Sequence, residues 1–125
     1  NKFHNVIVQE FQKSVVQKGE ISFMMIDGKY SHAVLKRAKV GDFRVQDDFG
    51  GTVAVYLPKD SEIDFALDAI GKLPSRPAYA RVDVIVDNAG NLALSELELI
   101  EPEMWFRLKP DSARCLAKYI RTYIV

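Results

Sequence analysis

The sequence predicts an α+β fold, a mainly antiparallel sheet with two helices packed against it. Three observations carry that expectation. Asp27 and Gly28 join two strand-like runs, and Asp-Gly between such runs is a strong hairpin signal. Residues 87–91 (DNAGN) join two more runs with side chains that accept or tolerate positive φ. Two other stretches, 59–73 and the segment after Asp111, repeat apolar residues at helical spacing.

Taken in order, residues 6–11 (VIVQEF) are short, apolar and β-branched, and are expected as a first strand. Residues 12–19 are expected as a polar connection. Residues 20–27 and 30–37 form the next two strands, an antiparallel meander, and residues 52–57 a further one. His32 sits mid-strand with Val34 and Lys36 on its face and is expected to be packed or at the surface rather than catalytic. Residues 59–73 are expected as a helix, capped by Asp60 or Ser61, with Ile63, Ala66, Leu67 and Ile70 toward the sheet and Gly71 and Pro74 ending it. Met104, Trp105 and Phe106 read as an apolar packing knot. Asp111 is expected to cap a last helix whose Ala113, Leu116, Ala117 and Ile120 share a face, with Cys115 off that stripe.

The hairpin of residues 79–102 carries the chemistry. Ala80, Val82, Val84 and Val86 fall on one face of its first strand, and Tyr79, Arg81 and Asp83 on the other. In its second strand Glu96 and Glu98 share a face, with Ser95, Leu97 and Leu99 opposite. A loop of about four residues would set Asp83 across from Glu96 and Arg81 across from Glu98. Opposed Cβ atoms lie only about 5 Å apart, where like charges repel. A hard divalent cation with oxygen ligands would offset that repulsion, and Arg81 would add a fixed positive charge. The alternative is that the acids merely solvate an outer face.

Composition narrows the classes. With 17 basic and 17 acidic side chains the formal net charge is zero, so nothing steers the chain to nucleic acid or an anionic membrane. A single Cys permits no internal disulfide and suits a reducing cytoplasm. One Cys and two widely separated His residues supply no structural zinc set. No apolar run approaches the roughly 20 residues of a membrane span. The 125 residues are expected as a single domain excised from a longer protein.

The 79–102 stretch resembles the metal-binding hairpin of the ATP-grasp superfamily. There an Arg-x-Asp opens a strand, a turn carries Gly, and a Glu-x-Asn precedes a Pro. Arg81, Asp83, Gly90, Glu96 and Pro102 match, while Glu98 stands where the family usually carries Asn. Residues 8–11 resemble the segment linking the two ATP-grasp subdomains, and residues 19–21 the acidic position that binds ribose. Residues 36–51 (KRAKVGDFRVQDDFGG) resemble a stretch of prokaryotic glutathione synthetases and related glutamate ligases. The resemblance implies a C-terminal ATP-grasp subdomain of a carboxylate–amine ligase that works through an acylphosphate. It implies ATP and Mg²⁺, or Mn²⁺ in its place, held by Asp83, Glu96 and Glu98. Gln9, Glu10 and Phe11 would line the adenine pocket, mainly through backbone groups, with the Phe11 ring in the core. Glu20 would hold the ribose, and Lys36 would lie beside the phosphates. Arg37, Arg44 and Arg81 would stabilise phosphate charge, and Gly50 and Gly51 would form a mobile cover. The implied partners are a small carboxylate, a small amine and the N-terminal half of the same cytoplasmic protein, with a homo-oligomer open to the full-length form. Alone, the chain is expected to be inactive. The alternative is a non-catalytic nucleotide- or metal-binding regulatory module of the same fold.

Overall fold

In a computed structural model the described residues are 6–39 and 50–124. Five strands form one sheet: β1 (Glu20–Ile26), β2 (Lys29–Arg37), β3 (Thr52–Tyr56), β4 (Tyr79–Val86) and β5 (Leu92–Glu98). Their order across the sheet is β3-β2-β1-β4-β5, and every neighbouring pair is antiparallel. The α+β expectation therefore holds. Among the described residues three α-helices accompany the sheet: α1 (Ser14–Gln17), α2 (Asp60–Gly71) and α3 (Pro110–Arg121).

Strand alternation sorts the core into two layers. On one face Phe23, Met25, Ala33, Ala80, Val82 and Val84 pack against Ala66 and Ile70 of α2. On the other, Met24, Ile26 and Val34 pack with Met104 and Trp105, and with Leu116 of α3. The β4 alternation read from the sequence is thus the observed one: Ala80, Val82 and Val84 face α2.

Several local expectations are corrected. Residues 6–11 join no strand of the sheet, and Val6, Ile7 and Val8 are exposed. Their β-branched run finds no ladder, since the five strands pair only with one another. Phe11 is 56% exposed rather than in the core. The next residues are tied instead to the β4–β5 turn: Asn88 donates to the Phe11 carbonyl at 3.0 Å and to Gln12 Oε1 at 2.9 Å, and accepts from the Lys13 N–H at 3.1 Å. The polar connection contains α1, too short for a periodicity to reveal, with the Ser14 hydroxyl donating to the Val86 carbonyl.

Both helix starts also differ. Lys59, not Asp60 or Ser61, is the N-cap of α2, and the Glu62 carboxylate accepts the Lys59 N–H at 2.8 Å. Lys109 precedes α3, with Pro110 in its first turn, where a missing N–H costs nothing. Asp111 accepts from Arg114 instead of capping. Of the stripe expected on α3, Leu116 packs inward and Ala113 is half-buried, while Ala117 and Ile120 are exposed; Ser112 is buried instead.

Gly19, just before β1, has φ of +87°. A Cβ there would collide with the Lys36 carbonyl oxygen. Gly19→Ala is therefore expected to destabilise the fold by about 2–3 kcal/mol, read as a lower urea midpoint.

Candidate functional site

The β4–β5 hairpin brings its acids together by two offsetting departures from the simplest register. The loop spans residues 87–91, one longer than expected, since Val86 pairs with Leu92. Asp87 organises it, accepting the Ala89 and Asn91 N–H groups at 2.9 and 2.8 Å. These backbone donors, Asn91 foremost, lower the Asp87 pKa. A bulge then follows: Val84 pairs with Leu94 but Asp83 with Glu96, so Ser95 is the extra residue. Beyond it Asp83 opposes Glu96 and Arg81 opposes Glu98, the expected pairs. The bulge also corrects the expected place of Ser95. Its hydroxyl reaches Glu20 Oε2 at 3.0 Å, so it works on the acidic face.

Asp83 has no solvent exposure. Lys36 Nζ lies 3.1 Å from its Oδ2, Arg81 Nε 3.0 Å from Oδ1, and Arg81 Nη2 2.9 Å from Oδ2. Lys36 also pairs with Glu20, directly across from it on β1, and Arg81 pairs with Glu98. Both cations are themselves buried. Single ligand oxygens of Asp83, Glu96 and Glu98 lie within 4.8 Å of one another. Four carboxylates (Glu20, Asp83, Glu96, Glu98) face two cations (Lys36, Arg81), leaving two formal negative charges uncompensated among the described residues. Glu96 is exposed and, among those residues, has no ion-pair partner. An all-oxygen donor set with that surplus fits one hard divalent cation.

Other expected residues distribute unevenly. Gln9, Glu10 and Phe11 line an open hollow of about 280 Å³ with Val15, Ile85 and Ser95. Ser95 links that hollow to Glu20, and Glu20 to Lys36 and Asp83. Arg37 is exposed and one residue on from Lys36, so it projects from the opposite face of β2. Arg44 lies outside the described residues. Gly50 adopts φ of +79° in a turn before β3.

The sequence missed Trp105 and the way His32 supports it. His32 Nε2 donates to the Met104 carbonyl at 3.0 Å, which leaves Nδ1 to accept from Ser31 or Ser112, each 3.1 Å away. Burial lowers the His32 pKa, opposed by the Met104 bond and assisted by nearby Lys109. The Trp105 ring lies over Lys36 and Arg81. Cross-sheet contacts of this kind leave no periodic trace in a sequence.

The sheet and helix arrangement is shared with solved structures of known proteins. Among solved structures it is similar to D-cycloserine synthetase DcsG, with a TM-score of 0.78 and 24% identity over 94% of this chain and 42% of that one. It is also similar to D-alanine–D-alanine ligase from Bacillus anthracis complexed with ATP, with a TM-score of 0.59 and 21% identity over 84% of this chain and 36% of that one. At these identities the likeness is one of fold, and the chain spans about two-fifths of the neighbours' lengths. No family model matches the sequence, and no curated protein does.

Two outcomes follow for stability. Lys36→Met strips a buried ammonium from both Glu20 and Asp83 and is expected to cost about 3–5 kcal/mol in denaturant unfolding at pH 7. His32 has a folded pKa below its unfolded one, so between the two the unfolded chain binds more protons. Its contribution is then full above pH 6.5 and is lost as pH falls through the folded value. His32→Gln should flatten that part of the stability–pH curve relative to the unsubstituted chain.

Proposed function

We propose that this chain is the C-terminal ATP-grasp subdomain of a longer carboxylate–amine ligase, of the glutathione synthetase-like group, that uses ATP and Mg²⁺ or Mn²⁺. The observation that carries the proposal is the convergence of Asp83, Glu96 and Glu98 within 4.8 Å, with two surplus negative charges. Asp83, Glu96 and Glu98 would hold the metal. A divalent ion there would neutralise phosphate oxygens and fix their position. Glu20 would accept the ribose hydroxyls, and the hollow lined by Gln9, Glu10 and Phe11 would take the adenine. The link from that hollow through Ser95 and Glu20 to Lys36 and Asp83 matches the base–sugar–phosphate order of a nucleotide.

The chain's own part in such a reaction is binding and charge placement. Arg81 spends Nε and Nη2 on Asp83 and Glu98, and Nη1 is the nitrogen left for a phosphate oxygen. Arg44 would bring further positive charge to the phosphates, whereas Arg37 projects from the opposite face of β2. A substrate carboxylate oxygen would attack the γ-phosphorus as ADP leaves, and the amine would then displace phosphate from the acylphosphate. The N-terminal half of a cytoplasmic protein, homo-oligomeric or not, would supply the opposite wall and the substrate pocket.

A second reading is favoured by one observation: Glu98, in place of the family's Asn, is engaged by Arg81 rather than free. A nucleotide-binding regulatory module would share the site yet transfer no phosphoryl group.

The first test is cation uptake by this chain. Mn²⁺ binding should appear in the wild type and weaken by about tenfold or more in Asp83→Asn, since one ligand charge is gone. Uptake indifferent to Asp83 would overturn the metal assignment. In the full-length protein, Mg²⁺-dependent ATP binding with phosphate release supports the ligase, and binding without turnover on any acid and amine supports the regulatory module. The isolated chain is expected to form no amide.

A further inference from the structure

Trp105 is the chain's single tryptophan and only 5% exposed. Lys36 Nζ lies 5.7 Å and Arg81 Cζ 5.3 Å from the centroid of its ring, both within cation–π range. These are the two cations that hold the buried Asp83 carboxylate. Trp105 also has φ 44° and ψ 42°, a left-handed conformation that bulky residues rarely enter. Three bonds secure it there. Glu103 Oε1 accepts the Trp105 N–H at 2.6 Å, and the Trp105 carbonyl accepts the Leu108 N–H at 2.8 Å. His32 fixes the preceding Met104 carbonyl. An unfavourable backbone conformation maintained by bonds on either side points to a side chain whose placement matters.

We infer that Trp105 is a positioning residue for the metal and phosphate site, its ring anchoring Arg81 and Lys36 while Asp83 turns lone pairs toward a cation. The inference rests on the metal reading above. In the structure the guanidinium edge is spent on Asp83 and Glu98. Held by carboxylates alone, Arg81 would follow them as they rotate toward an ion. The ring attracts the cation through its π face and takes no carboxylate lone pair, so it does not compete with the metal. It would thereby hold the guanidinium in place, and with it Nη1, which has no partner among the described residues. Lys36 is restrained in the same way, between the ring, Glu20 and Asp83.

The experiment compares Mn²⁺ uptake, followed by loss of the free-ion electron paramagnetic resonance signal, in wild type, Trp105→Phe and Trp105→Leu. Folding of each is verified by circular dichroism. Trp105→Leu keeps an apolar side chain and removes the π face; it is expected to weaken binding about tenfold. Trp105→Phe retains a face and should stay within about threefold of wild type. Unchanged affinity in Trp105→Leu, or an equal loss in both variants, overturns the inference. Should Trp105→Leu fail to fold, wild-type emission decides, because Trp105 is the only indole. Its spectrum should shift saturably with Mg²⁺, and a spectrum unmoved while Mn²⁺ uptake proceeds overturns the inference. A wild type that takes up no Mn²⁺ overturns the metal reading and this inference together, whereas normal uptake with insensitive variants overturns this inference alone.

Discussion

A carboxylate with no access to water sits in the middle of a sheet, and much of this molecule answers to it. Without the two cations that reach it, the burial of Asp83 would carry a large desolvation cost. Lys36 comes from β2, two strands away, and Arg81 from the same face of β4. For Lys36 to span β1 its stem must cross the sheet face between Glu20 and Ser22, and Glu20 is the residue directly opposite it. The register of β2 on β1, of β1 on β4 and of β4 on β5 is therefore expressed in one set of ion pairs. A slip in any of them would strand a buried charge.

That constraint explains why the hairpin's acids were legible in the sequence although its loop was not. Alternation in residues 79–86 fixed which side chains share a face, because a face of Ala80, Val82 and Val84 has to meet a core. A loop of about four residues would set Arg81 opposite Glu98 and Asp83 opposite Glu96. The loop proved longer, and the bulge at Ser95 absorbed the difference, returning Asp83 to Glu96. Bulges have no strong sequence signal, so the role of Ser95 in reaching Glu20 was not readable.

Other features were hidden for different physical reasons. The apolar run at residues 6–11 has every local mark of a strand, yet strand formation needs a partner edge, which local sequence cannot report. Asp60 and Asp111 are good caps by type, but Glu62 and Pro110 supply alternatives that place the boundary elsewhere. By sequence alone Lys36 and Arg37 both suit phosphate contact. A strand separates neighbours onto opposite faces, so only Lys36 reaches Asp83. Trp105 reads as apolar bulk, and its second property, a face offered to two cations, exists only once β2 and β4 are assembled.

Glu98 shows how far the fold alone can carry function. The neighbours share this architecture at 24% and 21% identity, a level at which side chains, not topology, must supply the chemistry. An Asn at this position would leave Arg81 with Asp83 as its sole carboxylate partner. With Glu98 present, the guanidinium is divided between two acids, and part of the added negative charge is cancelled where it arises. The field presented to a proposed cation would then come from Asp83 and the exposed Glu96, which has no ion-pair partner among the described residues, with Glu98 contributing whatever oxygen the arginine leaves. If the proposed site holds a cation, strengthening the Arg81–Glu98 pair would weaken Glu98 as a ligand, and weakening it would release both a ligand oxygen and an arginine for phosphate. On the proposed reading, metal affinity and phosphate contact would be set by the same competition at one guanidinium.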